Sequence, residues 1–345
     1  MNEFDFPLEQ PLKDEQVQFI TDALGSSFNI RAISVGAASL RIEHGNEAEA
    51  EAIRKMAKRF VFISKSMNAD TVFENDASLK YTDDPQPHLE AKREVIPVHP
   101  GFFTLQGDFL RVFHALNARV RGFAEELGAI EQEYPTVWPV RLFKQIDYFH
   151  EFPQQVIMCA PVKDDYAARE EFSRRYAKNQ EFESIEMDGL FADSEYGLEP
   201  AVCDCCYYGL EGQKDIQNSY YTCYNKVFRN ERSTLGGLDR LTNFSVRDIM
   251  FVGDRNFVLE ARQTLIEILS GFLSELQINV QIATANDPFF ANDAAMKSVF
   301  QNSHRLKYEL LALIPHLDKR IAIGSVNLHL DVFGKAFQIE AEPGV

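Results

Sequence analysis

The sequence lacks any apolar run approaching the roughly 20 residues needed to span a bilayer. Residues 1–12 lack the basic and apolar pattern of a secretion signal, so a cytoplasmic protein is expected. There is no phosphate-cradling glycine loop of the common nucleotide-binding kinds, no HExxH, and no signature of a Ser or Cys nucleophile. No internal repeat or low-complexity tract occurs. Positive charge is scarce: 35 Lys and Arg stand against 52 Asp and Glu, a formal net charge of −17. A nucleic-acid backbone is therefore a poor default partner, because binding phosphates usually takes a basic face. Cysteine is also scarce, at five residues. Three of them crowd together at Cys203, Cys205 and Cys206, which favours metal or thiol chemistry over a disulfide framework.

What is present suits one large domain plus a smaller one: 345 residues, 45% apolar and 25% charged. Residues 1–95 read as a small N-terminal α/β unit. It has a strand region at 30–42, a charged, alanine-rich helix at 46–58 and a short β-prone run at 60–63, in the order β-α-β. The acidic residues and prolines of 76–97 read as a linker or exposed loop. In the main unit, 96–345, Leu110, Phe113, Leu116, Val120, Phe123 and Leu127 recur at spacings of three and four and predict an amphipathic helix ended by Gly128. A Pro-punctuated aromatic stretch at 134–148 and a β-prone run at 152–158 follow. Together these suit a dimer interface. An exposed helix is predicted at 164–179. Further on, Asp254 is placed to cap a helix running to Leu276, followed by a strand at 278–283, a helix at 296–313 and a strand at 321–332 that leads into a last short strand.

The centre of the chain, 227–253, reads as a strand, a glycine turn and a return strand. Arg229 and Glu231 are two apart, so on a strand they share a face. An Arg fork beside a Glu acceptor can hold a phosphate together with an amine or base. The plainer alternative is a surface hairpin carrying an ion pair. The cysteine cluster likewise admits zinc, inert burial or redox sensitivity, with Cys223 as a further ligand. Ser325, Asn327 and His329 fall on one face of the last long strand. That face is either a polar substrate surface or a solvated one.

Several segments, in order, resemble the catalytic domain of class II aminoacyl-tRNA synthetases, most closely the amino acid:[carrier protein] ligases related to an atypical seryl-tRNA synthetase. Pro135-Thr136 and residues 148–153 resemble the region of motif one, and Cys206-Tyr207 the metal-binding Cys region. Phe228-Arg229-Asn230-Glu231 through Arg240, Phe244 and Gly253 resembles motif two. Residues 286–290, 307–310 and 325–329, then Phe333-Gly334, resemble the later strands. The resemblance covers about residues 100–340. It implies an α+β fold, a six- or seven-stranded antiparallel sheet flanked by helices, usually dimeric. It also implies activation of an amino acid by ATP to an aminoacyl-adenylate. Arg229 would contact the α-phosphate, Glu231 would lie near the adenine and Phe244 would stack on it, with Arg240 in the same nucleotide-binding set. Zinc would hold the substrate amine, with Cys206 as a ligand and Asp248 where the family has Glu. Motif three and a third zinc ligand are expected after 329–337, and residues 340–345 do not supply them.

The leading expectation is an ATP-, Mg2+- and Zn2+-dependent ligase. It would load a small amino acid onto the phosphopantetheine thiol of an acyl or peptidyl carrier protein, as a homodimer with no membrane or nucleic-acid partner. The acidic balance favours it, and His304-Arg305-Lys307 or Arg174-Arg175 would dock the carrier. The alternatives are a non-catalytic synthetase paralogue that binds and regulates, and a true aminoacyl-tRNA synthetase using 1–95 to bind tRNA.

Overall fold

The structure, a computed structural model, describes residues 3–36, 38–64, 70–78, 81–230, 235, 237–287, 289 and 294–342. The N-terminal unit comprises β1 (Glu3–Pro7), α1 (Asp14–Ser27), β2 (Ile30–Val35), β3 (Ser39–His44) and α2 (Ala50–Ser64). Its antiparallel sheet runs β1-β3-β2. Along β3, buried Leu40, Ile42 and His44 alternate with exposed Arg41 and Glu43, so one face meets the helices and the other meets water. Residues 60–63, expected as a strand, are instead the last turn of α2. Ile53, Ala57, Phe60, Val61 and Ser64 are buried at helical spacing, and this continuous face outweighs the β preference of Val and Ile.

The next elements are β4 (Thr71–Asn75), α3 (Gln86–Ala91), the hairpin β5 (Val95–His99) and β6 (Phe102–Leu105), and the helix α4 (Gly107–Glu126). The expected linker at 76–97 thus contains a helix and a strand. After these come β7 (Ile130–Glu131), β8 (Val137–Pro139), α5 (Val140–Gln145), α6 (Tyr148–Glu151), β9 (Met158–Cys159), α7 (Tyr166–Arg175), β10 (Tyr196–Leu198) and α8 (Cys203–Gly209). A long hairpin then pairs β11 (Ser219–Phe228) with β12 (Asn243–Val252). Asp254 caps the following helix α9 (Arg255–Glu275), its Oδ1 accepting from the amides of Asn256 at 2.8 Å and Phe257 at 3.0 Å. The chain continues through β13 (Val280–Thr284), α10 (Ala294–Ser303), β14 (Lys307–Ile314), β15 (Lys319–Asn327) and α11 (Val332–Phe337).

Two sheets frame the main unit, a four-stranded one in the order β15-β14-β13-β4 and a three-stranded one in the order β12-β11-β7. Among the described residues, the single antiparallel sheet that the resemblance implies is met as these two parts, with the short β7 parallel to β11. The four-stranded sheet takes β4 from the segment assigned to the N-terminal unit, so residues 1–95 contribute to both. The helix expected over 296–313 ends at Ser303. Arg305 turns the chain through a left-handed conformation (φ 50°), and Lys307–Ile314 is a strand. Likewise β15 ends at Asn327, and after Leu330 (φ 53°) a helix stands where a strand is expected.

One face of the four-stranded sheet is apolar. Val280, Ile282, Tyr308, Leu310, Ala312 and Val326 pack with Ile266 and Leu273 of α9. The opposite face carries Lys307 across from Asn327 and Glu309 across from Ser325. A second core joins Trp138, Leu142, Phe143, Tyr148 and Phe337. Gly197, paired with Trp138, lets β10 lie against this core: a Cβ there would sit 2.8 Å from Phe143 Cζ and 3.2 Å from the Ile157 carbonyl oxygen. Gly197→Ala is expected to cost about 1–3 kcal/mol by overpacking, read as a lower urea midpoint. Among the described residues no helix is long and apolar enough to cross a membrane.

Candidate active site

The site is built on one face of the β11–β12 hairpin. Directly paired residues share a face, so Cys223 with Asp248, Asn225 with Val246, and Val227 with Phe244 all point the same way. Helix α8 and the residue before it cover that face, with Val202 and Cys206 packed beside Cys223, Val227 and Met250. The reverse face is structural. There Arg247 Nε donates to Asn117 Oδ1 of α4 at 2.7 Å, and Nη1 donates to Thr222 Oγ1 at 3.1 Å.

Arg229 lies just past the end of β11, not within the strand as expected. Its amide donates to the Thr242 carbonyl at 3.0 Å, and its Nε to the Pro200 carbonyl, also at 3.0 Å. The guanidinium carbon sits 5.4 Å from the centroid of the Phe244 ring. A cation bonded along one edge and stacked on one face is a pre-oriented fork for an anion. Glu231, its expected partner, lies outside the described residues, as do Ser233, Thr234 and Gly236. Arg240 stands in the same connection, next to Asp239, whose carboxylate accepts from Lys319 Nζ at 2.7 Å.

Buried acids surround Arg229. Asp248 has its carboxyl pushed up to about 6 by burial, opposed by Arg229 and by the amide of Cys203. Burial pushes Asp204 up to about 7, opposed by the Cys203 thiol, whose Sγ lies 3.7 Å from Oδ1, and by Arg229. Glu199, fully buried, is pushed up to about 8 by burial and by nearby Asp204. Cys206, expected as a zinc ligand, falls in the same cluster as Asp248. Its thiol is pushed up to about 12 by burial, and that of Cys223 up to about 11.

The polar face of the four-stranded sheet supplies the other wall. Lys307 Nζ donates to Asp287 Oδ1 at 2.7 Å and pairs with Glu309 Oε1 at 2.8 Å. Gln301 Nε2 donates to Asp287 Oδ2 at 2.7 Å. Burial works against the Asp287 carboxylate, but Lys307 and Gln301 outweigh it and hold its pKa below the ordinary value. His329 is held below its ordinary value by burial. It lies past β15, off the strand face expected for it, against Phe333 (ring centroids 4.8 Å) and Tyr207 (6.4 Å). Ser325 and Asn327 do share a face, and Asn327 Nδ2 donates to Ser325 Oγ at 2.9 Å. Tyr148 ties the walls together. Its ring is buried, its hydroxyl donates to Gln155 Oε1 at 2.7 Å, and it feels the charges of Arg229, Asp204 and Asp287.

Sequence reasoning singled out Arg229, Phe244, Asp248 and His329 but missed Asp204, Tyr148, Asp287 and the interior role of Lys307. A charged residue such as Lys307 within an apolar strand pattern is the signal that could have found it, since Lys is almost never buried unless paired. The basic residues expected to dock a carrier are engaged within the chain. Arg174 and Arg175 pair with Glu171, Arg175 also with Asp188 at 2.5 Å, and Arg305 with Asp70 at 2.6 Å.

Zinc sites take three or four ligands around one point. Among the described residues, no group of three His, Cys, Asp or Glu ligand atoms within 4.8 Å of one another includes Cys206 or Asp248; Asp147, His150 and Glu151 form such a group elsewhere. Among the described residues, the donors around Cys206 and Asp248 do not complete the zinc shell that the resemblance implies.

The helix-flanked antiparallel sheets give a class II synthetase-like fold. Solved structures agree on the fold. M. kandleri seryl-tRNA synthetase, in a complex with A. aeolicus tRNASec, superposes with a TM-score of 0.68 at 16% identity, over 99% of this chain and 70% of that one. The cytoplasmic serine–tRNA ligase of Naegleria fowleri, solved with AMP, gives 0.55 at 13% identity, over 86% and 69%. In sequence, the type-2 serine–tRNA ligase of Methanocaldococcus jannaschii is 24% identical over 232 residues, 65% of this chain and 44% of the relative. Amino acid–[acyl-carrier-protein] ligase 2 of Bradyrhizobium diazoefficiens is 34% identical over 144 residues, 41% of this chain and 42% of the relative. The chain thus spans less than half the length of these curated relatives. No family model matches it.

Proposed function

We propose that the protein activates a small amino acid with ATP and passes the acyl group to the phosphopantetheine thiol of a carrier protein. The observation that carries this reading is Arg229, braced by Pro200 and Phe244 beside the buried carboxylates of Asp204 and Asp248. The amino acid's carboxylate oxygen attacks the α-phosphorus and pyrophosphate leaves. Arg229 stabilises the charge gathering on the phosphoryl oxygens. Asp204 and Asp248 attract the substrate's ammonium group, and Ser325, Asn327 and His329 supply polar contacts from the other wall. Phe244, Arg240 and Glu231 belong to the nucleotide side, and Mg2+ accompanies the phosphates of ATP. The carrier's thiol then attacks the acyl carbon and AMP departs.

The carrier as acceptor is supported by the 34% identity to the B. diazoefficiens ligase. A tRNA acceptor is the second reading, favoured by the fold match to a synthetase solved with tRNA. For that reason the expectation of no nucleic-acid partner is not carried forward. The homodimer belongs to this reading through the resemblance to class II synthetases. Incubation with ATP, a panel of small amino acids, and either holo-carrier protein or total tRNA tests the assignment. A mass increase on the carrier equal to one aminoacyl group is expected. Charging of tRNA alone would move the assignment to the second reading. Absence of pyrophosphate exchange with every amino acid would leave a non-catalytic paralogue.

A further inference from the structure

We infer that Glu199 is a positioning residue for Arg229, acting through the carbonyl of Pro200. Glu199 follows β10 and is 0% exposed. Its amide donates to the Thr136 carbonyl at 2.9 Å, and its own carbonyl accepts from Phe228 at 2.8 Å. Its side-chain Oε2 accepts from Asn225 Nδ2 at 2.7 Å, and the same Nδ2 reaches the Tyr134 carbonyl at 3.0 Å. The segment leaving β10 is therefore clamped to β11 twice, by backbone at Phe228 and by side chain at Asn225. One residue further along each segment, beyond the strand ends, the Pro200 carbonyl meets Arg229 Nε at 3.0 Å.

An acid is a costly way to fill this space. Its Oε1 is buried with no hydrogen-bond partner. The Trp138 indole N–H also acts on this carboxyl, but of its polar contacts it is the bond to Asn225 that reaches β11, and an apolar side chain would lack it. Without that bond, the Glu199–Pro200 peptide keeps its backbone contact to Phe228 but loses the restraint on its direction, and the direction of the Pro200 carbonyl sets the plane of the Arg229 guanidinium. The inference rests on the proposed nucleotide reading for its catalytic meaning, though not for its geometry.

The test follows the Arg229 Nε–H signal by nitrogen-15 NMR in the full chain, assigned by its loss in Arg229→Lys. Its hydrogen exchange is compared in wild type, Glu199→Gln, Glu199→Leu and Asn225→Ala. Gln keeps an acceptor for Asn225, so wild-type exchange is expected. Leu keeps the bulk but not the bond, and exchange at Arg229 Nε is expected to rise at least tenfold. The Nε–H of Arg247, bonded to Asn117 on the opposite face, should stay unchanged. Asn225→Ala removes the same bond from the other side and should reproduce the effect if Glu199→Leu does not fold. Unchanged Arg229 exchange, or equal acceleration at Arg247, overturns the inference. A parallel ATP titration should show affinity falling about tenfold in Glu199→Leu but not in Glu199→Gln. If wild type binds no ATP, the nucleotide reading fails, while the exchange comparison still decides the positioning role.

Discussion

Arg229→Ala is expected to reduce amino-acid-dependent ATP–pyrophosphate exchange by about a thousandfold, the scale found when one pre-oriented donor to a developing charge is removed. The size follows from preorganisation. With Nε bonded to Pro200 and the guanidinium stacked near Phe244, the cation does not have to be oriented during the reaction. Arg229→Lys should recover little of the loss, because an ammonium has neither the fork geometry nor the planar face that these partners select. Phe244→Leu should fall between, keeping the apolar bulk but not the aromatic face. Exchange within threefold of wild type in Arg229→Ala would remove Arg229 from the phosphate site. A loss that appeared only as a raised KM for ATP, with kcat intact, would make it a ground-state binder instead.

The hairpin carrying Arg229 was legible because its pattern is local: two β-prone runs around a glycine turn. The cap at Asp254 and the helix ending at Gly128 were legible for the same reason. What failed to show was whatever depended on contacts distant in sequence. Val61 and Ile63 favour strands, yet their spacing from Ile53 and Ala57 places Val61 on a buried helical face. The pairing of β4 with β13 joins segments some two hundred residues apart, and no local signal announces it. The candidate site divides along the same line. Arg229 came from its strand spacing to Glu231 and Cys206 from the cysteine cluster, Phe244 and Asp248 from motif resemblance, whereas Asp204 and Tyr148 are unremarkable as letters. They matter only because α8 folds over the hairpin face and Tyr148 of α6 comes within electrostatic reach of both Arg229 and Asp287. Ser325 and Asn327 follow the expected alternation, but His329 does not, because the strand stops at Asn327 and His329 lies in the irregular connection before α11.

Lys307→Met should be the most destabilising of the conservative-volume changes at the site, costing about 3 kcal/mol by chemical denaturation. The side chain of Lys307 is 11% exposed and is the cation of an Asp287–Lys307–Glu309 group. Methionine fills most of its volume but leaves two carboxylates without a cation, Asp287 keeping only its bond from Gln301. The lower end of the usual 3–5 kcal/mol range applies because Asp287 and Glu309 keep 32% and 23% side-chain exposure, so water can solvate part of the stranded charge. The pH dependence separates this cause from simple loss of packing. In wild type, the Asp287 pKa is depressed and that of Lys307 raised, so the pair's stabilisation is present between their ordinary values. It is lost as pH falls through the depressed carboxyl value or rises through the raised ammonium value. Wild-type stability should therefore change little through this pair between about pH 5 and pH 8. In the variant the sign reverses at Asp287. Burial without the Lys307 cation raises the Asp287 carboxyl, so the folded state binds a proton that the unfolded state releases, and stability rises as pH falls. The melting temperature of Lys307→Met should recover toward wild type at about pH 5, and a deficit constant across the range would attribute the loss to packing alone.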